Sequence, residues 1–113
     1  MRRNKYNAKK TIIDGITFPS RAEATRYTEL KLLQRAGEIS DLELQPRFEI
    51  IPKFTDSSGN KHRATHYTAD FQYIENGNTI IEEVKGKASR DFTLRMKLFL
   101  LKYPQYIYRL IKP

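Results

Sequence analysis

Two acids and one lysine, Asp70, Glu83 and Lys85, occupy positions from which they can act together on one substrate. Asp70 interrupts a run of β-forming residues, where aspartate is uncommon. A turn over residues 75–78 separates this run from the next, so we expect a hairpin that brings Asp70 beside Glu83. Because side chains alternate between the faces of a strand, Glu83 and Lys85 are expected on one face and Glu82 on the other. The pattern therefore predicts two carboxylates and an ammonium group in one place.

The paired carboxylates favour a cation site. Two neighbouring carboxylates repel each other, and Mg²⁺, which prefers one or two carboxylates with water and phosphate oxygens, relieves that repulsion. Hydrolysis of a phosphodiester needs a Lewis acid, an oriented water and positive charge near the phosphate, and Lys85 can supply that charge. The alternative is an ordinary ion pair of Glu83 and Lys85 on the sheet surface. The position of Asp70 within a strand favours the site.

Glu23 is a third candidate acid. It ends a capping-box pattern that begins at Ser20, and its carboxyl could simply bond the Ser20 backbone. It also begins a stripe with Tyr27, Leu30 and Gln34, which a helix would turn toward the sheet. An acid at the end of such a stripe can point at a site on the rim of the sheet, so the functional interpretation is favoured.

Turn and cap signals divide the chain into elements that could position these residues. In chain order they are a β-hairpin over 11–18 around Asp14-Gly15, a helix from Ser20 to Gly37, an edge or bulged strand over 42–51, strands over 62–74 and 79–85, a helix from Ser89 or Asp91 to Lys102, and a strand over 106–111. Helix, three strands, helix and strand predict an α/β or α+β fold around a mixed sheet. We expect a flexible basic arm over 1–10 and one domain over 11–113.

Composition excludes several classes of protein. Hydrophobic residues make up 39% of the 113 residues, too many for a disordered chain, and no stretch approaches the roughly 20 apolar residues that cross a membrane. The absence of cysteine excludes disulfides and thiolate metal sites. The N-terminal segment is charged and lacks the apolar region of a secretory signal, so a cytoplasmic protein is expected. A net charge of +8 favours a polyanionic partner, of which nucleic acid is the usual one.

Basic residues in three parts of the chain are expected to contact DNA. They lie in the N-terminal arm, in a segment before Asp70, and directly after the acid-x-lysine pattern. These residues are Arg2, Arg3, Lys5, Lys9, Lys10, Lys61, Arg63, Lys87 and Arg90.

Several other residues have structural interpretations. His62 and His66 share a strand face, but zinc would need further ligands, so a polar or DNA-facing strand is favoured. Apolar residues of the last helix are predicted to be core, and three tyrosines are predicted to pack with one polar edge. The residues concerned are Leu94, Leu98, Phe99 and Leu101, and Tyr67, Tyr73 and Tyr106.

Four ordered blocks carry a resemblance to known proteins. They are Ser20-Arg21-Ala22-Glu23-Ala24, Leu44-Gln45-Pro46, Tyr67-Thr68-Ala69-Asp70-Phe71 and Glu83-Val84-Lys85-Gly86. Together they resemble the PD-(D/E)xK nuclease superfamily, which has the restriction-endonuclease-like αβββαβ core. Within it they resemble a family of small phage-encoded proteins and the TnsA endonuclease domain of a transposase, over about residues 6–112.

The resemblance implies roles for the site residues. Asp70, Glu83 and the Val84 carbonyl would bind Mg²⁺ or Mn²⁺, and Glu23 would touch the metal directly or through water. Lys85 would position or activate the water. Gln45 would lie beside the site. One departure from the family pattern is that Ala69, rather than proline, precedes Asp70.

The activity implied is that of a metal-dependent DNA endonuclease, a hydrolase of phosphodiester bonds. A phage-encoded enzyme of recombination, replication or packaging in a bacterial host is expected. Its substrate could be a four-way junction, as for a Holliday-junction resolvase, or a flap, a duplex or a single strand. Because one chain offers one site, cutting of both strands suggests a homodimer. The alternatives are a non-catalytic DNA-binding protein with a nuclease-like fold and a structural phage protein.

Overall fold

The computed structural model describes residues 10–113. Its elements, in chain order, are β1 (Thr11–Ile13), β2 (Ile16–Phe18), α1 (Arg21–Arg35), β3 (Ser40–Leu44), β4 (Arg47–Ile51), β5 (Phe54–Thr55), β6 (Lys61–His62), β7 (Thr65–Thr68), β8 (Phe71–Glu75), β9 (Asn78–Val84), α2 (Arg90–Lys102) and β10 (Ile107–Ile111). The predicted N-terminal arm lies outside the described residues, apart from Lys10, which is exposed.

A mixed sheet of four strands forms the centre of the fold, in the order β10-β9-β8-β3. β10 runs parallel to β9, whereas β8 is antiparallel to both β9 and β3. Helix α1 covers one face, where Leu30 and Ile80 are buried together, and α2 covers the other, where Ile81 and Phe99 are buried together. The predicted α+β fold with a mixed sheet is therefore confirmed, as is the N-terminal β-hairpin, β1-β2.

Helix α1 begins where the sequence places its cap. The Ser20 hydroxyl accepts a hydrogen bond from the Glu23 backbone N–H at 3.2 Å. Glu23, Tyr27 and Leu30 are all buried, as the stripe predicts. The helix thereby holds Glu23 in a fixed position at its first turn.

We expect Ser20→Ala to lower the free energy of unfolding by about 1 kcal/mol, because it leaves an N–H group at the start of α1 without its acceptor. Ser89→Ala is the matched control, since the Ser89 hydroxyl caps α2 in the same way by accepting from the Phe92 N–H at 3.1 Å. Urea denaturation of both variants measures the effect. Loss of stability from Ser89→Ala but not from Ser20→Ala would contradict the capping role of Ser20.

Two predicted strands are each broken, and the breaks face one another. The segment predicted as one bulged strand over 42–51 divides at Gln45-Pro46, and the strand predicted over 62–74 divides at Ala69-Asp70. Gln45 has a left-handed φ of 52°, and Pro46 has no N–H to donate to a sheet. The Gln45 N–H donates to the Asp70 carbonyl at 2.9 Å, and the Ala69 N–H donates to the Pro46 carbonyl at 3.0 Å. Asp70 therefore lies at a junction between two sheets rather than within a strand.

Residues 47–68 form a hairpin arm that starts at this junction. Its first part pairs β4 with β7 and packs on α2, with Phe48, Ile50 and Tyr67 in the shared core. Its end pairs β5 with β6 around a turn in which the Asp56 carboxylate accepts from two backbone N–H groups. Every residue from 52 to 63 except Asp56 is exposed.

The last helix buries fewer leucines than expected. Phe92, Met96 and Phe99 face the core at helical spacing, and Leu98 is partly buried against it. Leu94 and Leu101 are 59% and 79% exposed, so their prediction as core residues is wrong. They lie on the opposite side of the helix from Phe92 and Phe99.

Among residues 10–113, no helix is long and apolar enough to span a membrane.

Candidate active site

Asp70 is fixed by hydrogen bonds at the junction of the two sheets. Its backbone N–H donates to the Glu82 carbonyl at 3.0 Å, and its carbonyl accepts from Gln45. One carboxylate oxygen, Oδ2, accepts from the Val84 N–H at 2.7 Å. These bonds hold the carboxylate beside β9 while the residue stays partly exposed. The predicted neighbourhood of Asp70 and Glu83 is present.

Two buried glutamates reach Asp70 from different elements. Glu23 comes from the first turn of α1, and Glu83 comes from the face of β9 that also carries Ile81. They are only 6% and 7% exposed, and the carboxyl group of each lies close enough to that of Asp70 to interact with it. Three carboxyl groups from different elements therefore meet at one end of the sheet. We call Glu23, Asp70 and Glu83 the carboxyl cluster.

This crowding makes the glutamates hard to ionise. Burial raises the pKa of Glu23 from 4.5 to about 8, with the hydrogen bond and the negative charge of Asp70 adding to the effect. The pKa of Glu83 rises to about 9 for the same reasons in the same order. The positive charge of Lys85 opposes both shifts. Without a further cation, the site therefore retains protons at neutral pH.

Lys85 is the positive group of the cluster. It follows β9, on the same side as Glu83, as strand alternation predicts. Its backbone N–H donates to the Ile111 carbonyl at 2.9 Å, and its Nζ lies 4.9 Å from the centre of the Phe92 ring. The residue is partly exposed.

Two tyrosines support Glu83, and the sequence did not indicate this. The Tyr67 hydroxyl donates to Glu83 Oε1 at 2.9 Å and lies 2.9 Å from the Tyr108 hydroxyl. Burial raises the pKa of Tyr67, and it raises the pKa of Tyr108 to about 12, so both stay protonated. Tyr67 is a packing residue as predicted, but its polar end orients a carboxyl group. The sequence feature that could have suggested this role is the place of Tyr67 on the strand before Asp70.

Glu82 has a different environment from its neighbour Glu83. It is fully buried on the α1 side and accepts from Arg26 Nε and Nη2 at 2.8 and 2.7 Å. Tyr73 also donates to it, and Arg109 Nη1 in turn donates to the Tyr73 hydroxyl at 3.1 Å. The carboxylate is thus neutralised by Arg26. This agrees with the prediction that Glu82 faces away from the site.

The sequence profile of a family described as "Protein of unknown function (DUF1064)" matches residues 3–112. The chain belongs to this family. The matched region of the DUF1064 chain contains the whole carboxyl cluster and Lys85.

Solved structures similar to this DUF1064 chain include that of protein VC1899 from Vibrio cholerae. The two are 19% identical with a TM-score of 0.47, over 91% of this chain and 30% of the other. The chain thus spans less than a third of the length of that protein. No curated protein sequence matches the chain.

The donor atoms of the cluster suit a hard divalent cation. In the part of the DUF1064 chain that the structure describes, no three acidic or histidine side chains surround a common point as a complete metal cage would. Mg²⁺ does not need such a cage, because it takes one or two carboxylates and fills its shell with water and substrate oxygens. Asp70 and Glu83, with Glu23 nearby, supply oxygen ligands only. The raised pKa values of Glu23 and Glu83 mark a site where added positive charge is favourable.

The other predicted residues are distributed around this centre. Gln45 touches it through its backbone, while the residue itself is exposed. Lys87 and Arg90 are exposed directly after the site, and Lys61 and Arg63 are exposed on the hairpin arm. Four predicted DNA contacts lie outside the described residues, namely Arg2, Arg3, Lys5 and Lys9.

The two histidines have different partners. His62 Nε2 lies 2.8 Å from Asp56 Oδ2, and His66 Nδ1 lies 3.2 Å from Arg47 Nη2. Each imidazole is therefore engaged within the hairpin arm of this DUF1064 chain. This arrangement agrees with the prediction that the segment is polar, and its contact with DNA stays a prediction.

Proposed function

We propose that the chain is a metal-dependent DNA endonuclease of the PD-(D/E)xK type. The observation that carries the proposal is the meeting of Glu23, Asp70 and Glu83 beside Lys85, although they come from α1, the sheet junction and β9. Burying two glutamates beside a third carboxyl group costs free energy, and their neighbours only partly offset that cost. Such an arrangement is typical of a site that binds a cation and performs chemistry.

The chemistry is hydrolysis of a phosphodiester. Asp70 and Glu83 would hold Mg²⁺ or Mn²⁺, with the Val84 carbonyl and Glu23 as further ligands, and the bound metal supplies Lewis acidity at the phosphate. Lys85 orients the attacking water and offsets negative charge on the phosphate as it becomes five-coordinate. The water oxygen bonds to phosphorus, a P–O bond to one sugar breaks, and that sugar oxygen takes the proton that the water loses. Tyr67 keeps the Glu83 carboxyl in place by its hydrogen bond.

Charge supports nucleic acid as the substrate. The net charge of +8 attracts a polyanion, and Lys87 and Arg90 are exposed on the chain directly after Lys85. Phosphates on either side of the cut bond would thus meet basic side chains. We infer a phage-encoded enzyme in the cytoplasm of a bacterial host, acting in recombination, replication or packaging. A homodimer would supply the second site needed to cut both strands.

Cleavage of labelled DNA tests the proposal. Duplex, single-stranded, flap and four-way-junction DNA are incubated with the wild type in Mg²⁺, Mn²⁺ or EDTA. We expect cutting that needs metal and is lost in Asp70→Asn, because the amide cannot supply a negative ligand. Asp41→Asn is the matched control, an exposed aspartate outside the cluster. Salt-sensitive binding by the wild type without cutting of any DNA would contradict the nuclease and favour a non-catalytic DNA-binding protein.

A further inference from the structure

An exposed aromatic pair stands at the end of the hairpin arm. Phe54 on β5 and His62 on β6 are stacked, with ring centres 4.6 Å apart and an angle of 18° between the planes. Phe54 is 50% exposed. The imidazole covers one side of the phenyl ring, so a second flat group can stack on what remains open. We call residues 52–63 the tip.

The charge of the tip favours a polyanion. Lys53, Lys61 and Arg63 are exposed there, and Asp56 is the acid among residues 52–63. Asp56 is engaged within the tip, by His62 at 2.8 Å and by the backbone N–H groups of Ser58 and Asn60. The bond to His62 lowers the pKa of Asp56, so the tip carries this one anionic carboxylate against the three basic side chains. An exposed flat ring among cations is suited to a strand of nucleic acid.

The tip is connected to the candidate active site by the arm itself. Both strands of the arm begin at the junction where Gln45 bonds Asp70 and Pro46 bonds Ala69. The packing of β4 and β7 on α2 fixes the direction in which the arm leaves the site. A nucleic acid that lies in the site and follows the arm therefore reaches Phe54.

We propose that the tip binds an unpaired base of the substrate by stacking on Phe54, while Lys53, Lys61 and Arg63 contact the neighbouring phosphates. The inference rests on the proposed nuclease function and assigns its substrate class, which is DNA with unpaired bases next to a duplex. The bases of an intact duplex are stacked on one another and offer no free face to the ring. An unpaired base does, and every base has a π-face, so the contact does not depend on sequence.

Binding assays with the full chain in EDTA test the tip without requiring cleavage. Fluorescence anisotropy compares a labelled flap or gapped duplex with a continuous duplex of the same sequence. We expect Phe54→Ala to weaken binding of the flap and gap about 10-fold and to change duplex binding less than twofold, with Phe54→Trp restoring the affinity. Leu101→Ala is the matched control, because Leu101 is 79% exposed and lies on α2.

The lysine and arginine of the tip give a second readout. Lys61→Ala combined with Arg63→Ala should weaken binding of the flap and lower the slope of log affinity against log salt by about 2. An unchanged slope, or equal flap affinities of wild type and Phe54→Ala, would overturn the proposal. Equal losses on flap and duplex would overturn the substrate class.

These results separate the tip from the nuclease proposal. A Phe54-dependent preference for unpaired bases in a protein that never cuts would support the tip and contradict the nuclease. Cutting by a protein whose flap affinity does not change in Phe54→Ala would support the nuclease and overturn the tip. Circular dichroism checks that each variant is folded. We expect Phe54→Ala to fold, because Phe54 lies outside both buried clusters.

Discussion

Replacing Lys85 with methionine is expected to slow metal-dependent DNA cleavage about 1,000-fold. The ammonium group is the positive charge that the structure places beside the three carboxyl groups, and it would face the phosphate as negative charge develops. Loss of one such group typically costs 100- to 1,000-fold in rate, about 3–4 kcal/mol. Methionine keeps an unbranched side chain beside Phe92 and removes the charge that lies over its ring. Single-turnover rates at saturating metal measure the loss.

Lys87→Met is the control for Lys85→Met. Lys87 is two residues further along and exposed, so its loss should weaken DNA binding slightly and leave the rate at saturating DNA within about threefold. Saturating metal is needed because Lys85 also lowers the pKa of Glu23 and Glu83. Without Lys85 both carboxyl groups would bind their protons more tightly, and the metal would have to displace those protons. Equal rates of Lys85→Met and wild type under these conditions would remove Lys85 from the mechanism.

Replacing Glu83 with glutamine is expected to abolish cleavage and yet stabilise the metal-free protein at high pH. The pKa of Glu83 is raised from 4.5 to about 9, mainly by burial, so the folded state binds its proton more tightly than the unfolded chain. The free energy of unfolding therefore falls as pH rises from about 4.5 to about 9. Glutamine cannot ionise and removes this fall. At pH 9 in EDTA we expect a gain of about 1–3 kcal/mol over wild type.

The neighbouring substitution Glu82→Gln should have the opposite effect. Glu82 is the counter-charge of Arg26, and its removal leaves a largely buried guanidinium without an ionised partner. Breaking such a pair costs about 3 kcal/mol or more, at pH 6 as well as at pH 9. Urea denaturation of wild type and both variants at the two pH values provides the comparison. A Glu83→Gln protein that is no more stable than wild type at pH 9 would contradict the description of the cluster.

Mg²⁺ should change the order of stability of wild type and Glu83→Gln. A ligand that binds only the folded state stabilises it in proportion to the logarithm of its concentration above Kd. Wild type at pH 8 is therefore expected to gain stability on addition of Mg²⁺, whereas Glu83→Gln should gain little.

Local patterns in the sequence predicted the parts of the site that lie within one element. Strand alternation placed Glu83 and Lys85 on one side of the sheet and Glu82 on the other. The capping signal at Ser20 and the stripe from Glu23 to Leu30 placed α1 correctly. Such patterns depend on residues a few positions apart, whose relation is fixed by the geometry of a helix or strand.

The features that were missed depend on contacts between distant segments. Pro46 suggested an irregular strand, but the full break needs the left-handed Gln45 and the facing break at Ala69-Asp70. The bond from Tyr67 to Glu83 and the ion pair of Arg26 and Glu82 join residues 16 and 56 positions apart. No spacing rule connects such pairs, because their proximity follows only from the packing of α1, α2 and the arm on the sheet.

The length of the hairpin arm sets a scale for the DNA beside it. Phe54 is eight residues from Pro46, and His62 is eight residues from Asp70, one along each strand of the arm. At about 3.3 Å per residue the tip lies at most about 26 Å from the cluster. Duplex DNA rises about 3.4 Å per base pair, so this reach equals about eight base pairs. With its tip on an unpaired base, the arm would act as a ruler, and cut sites would fall within that distance of the branch.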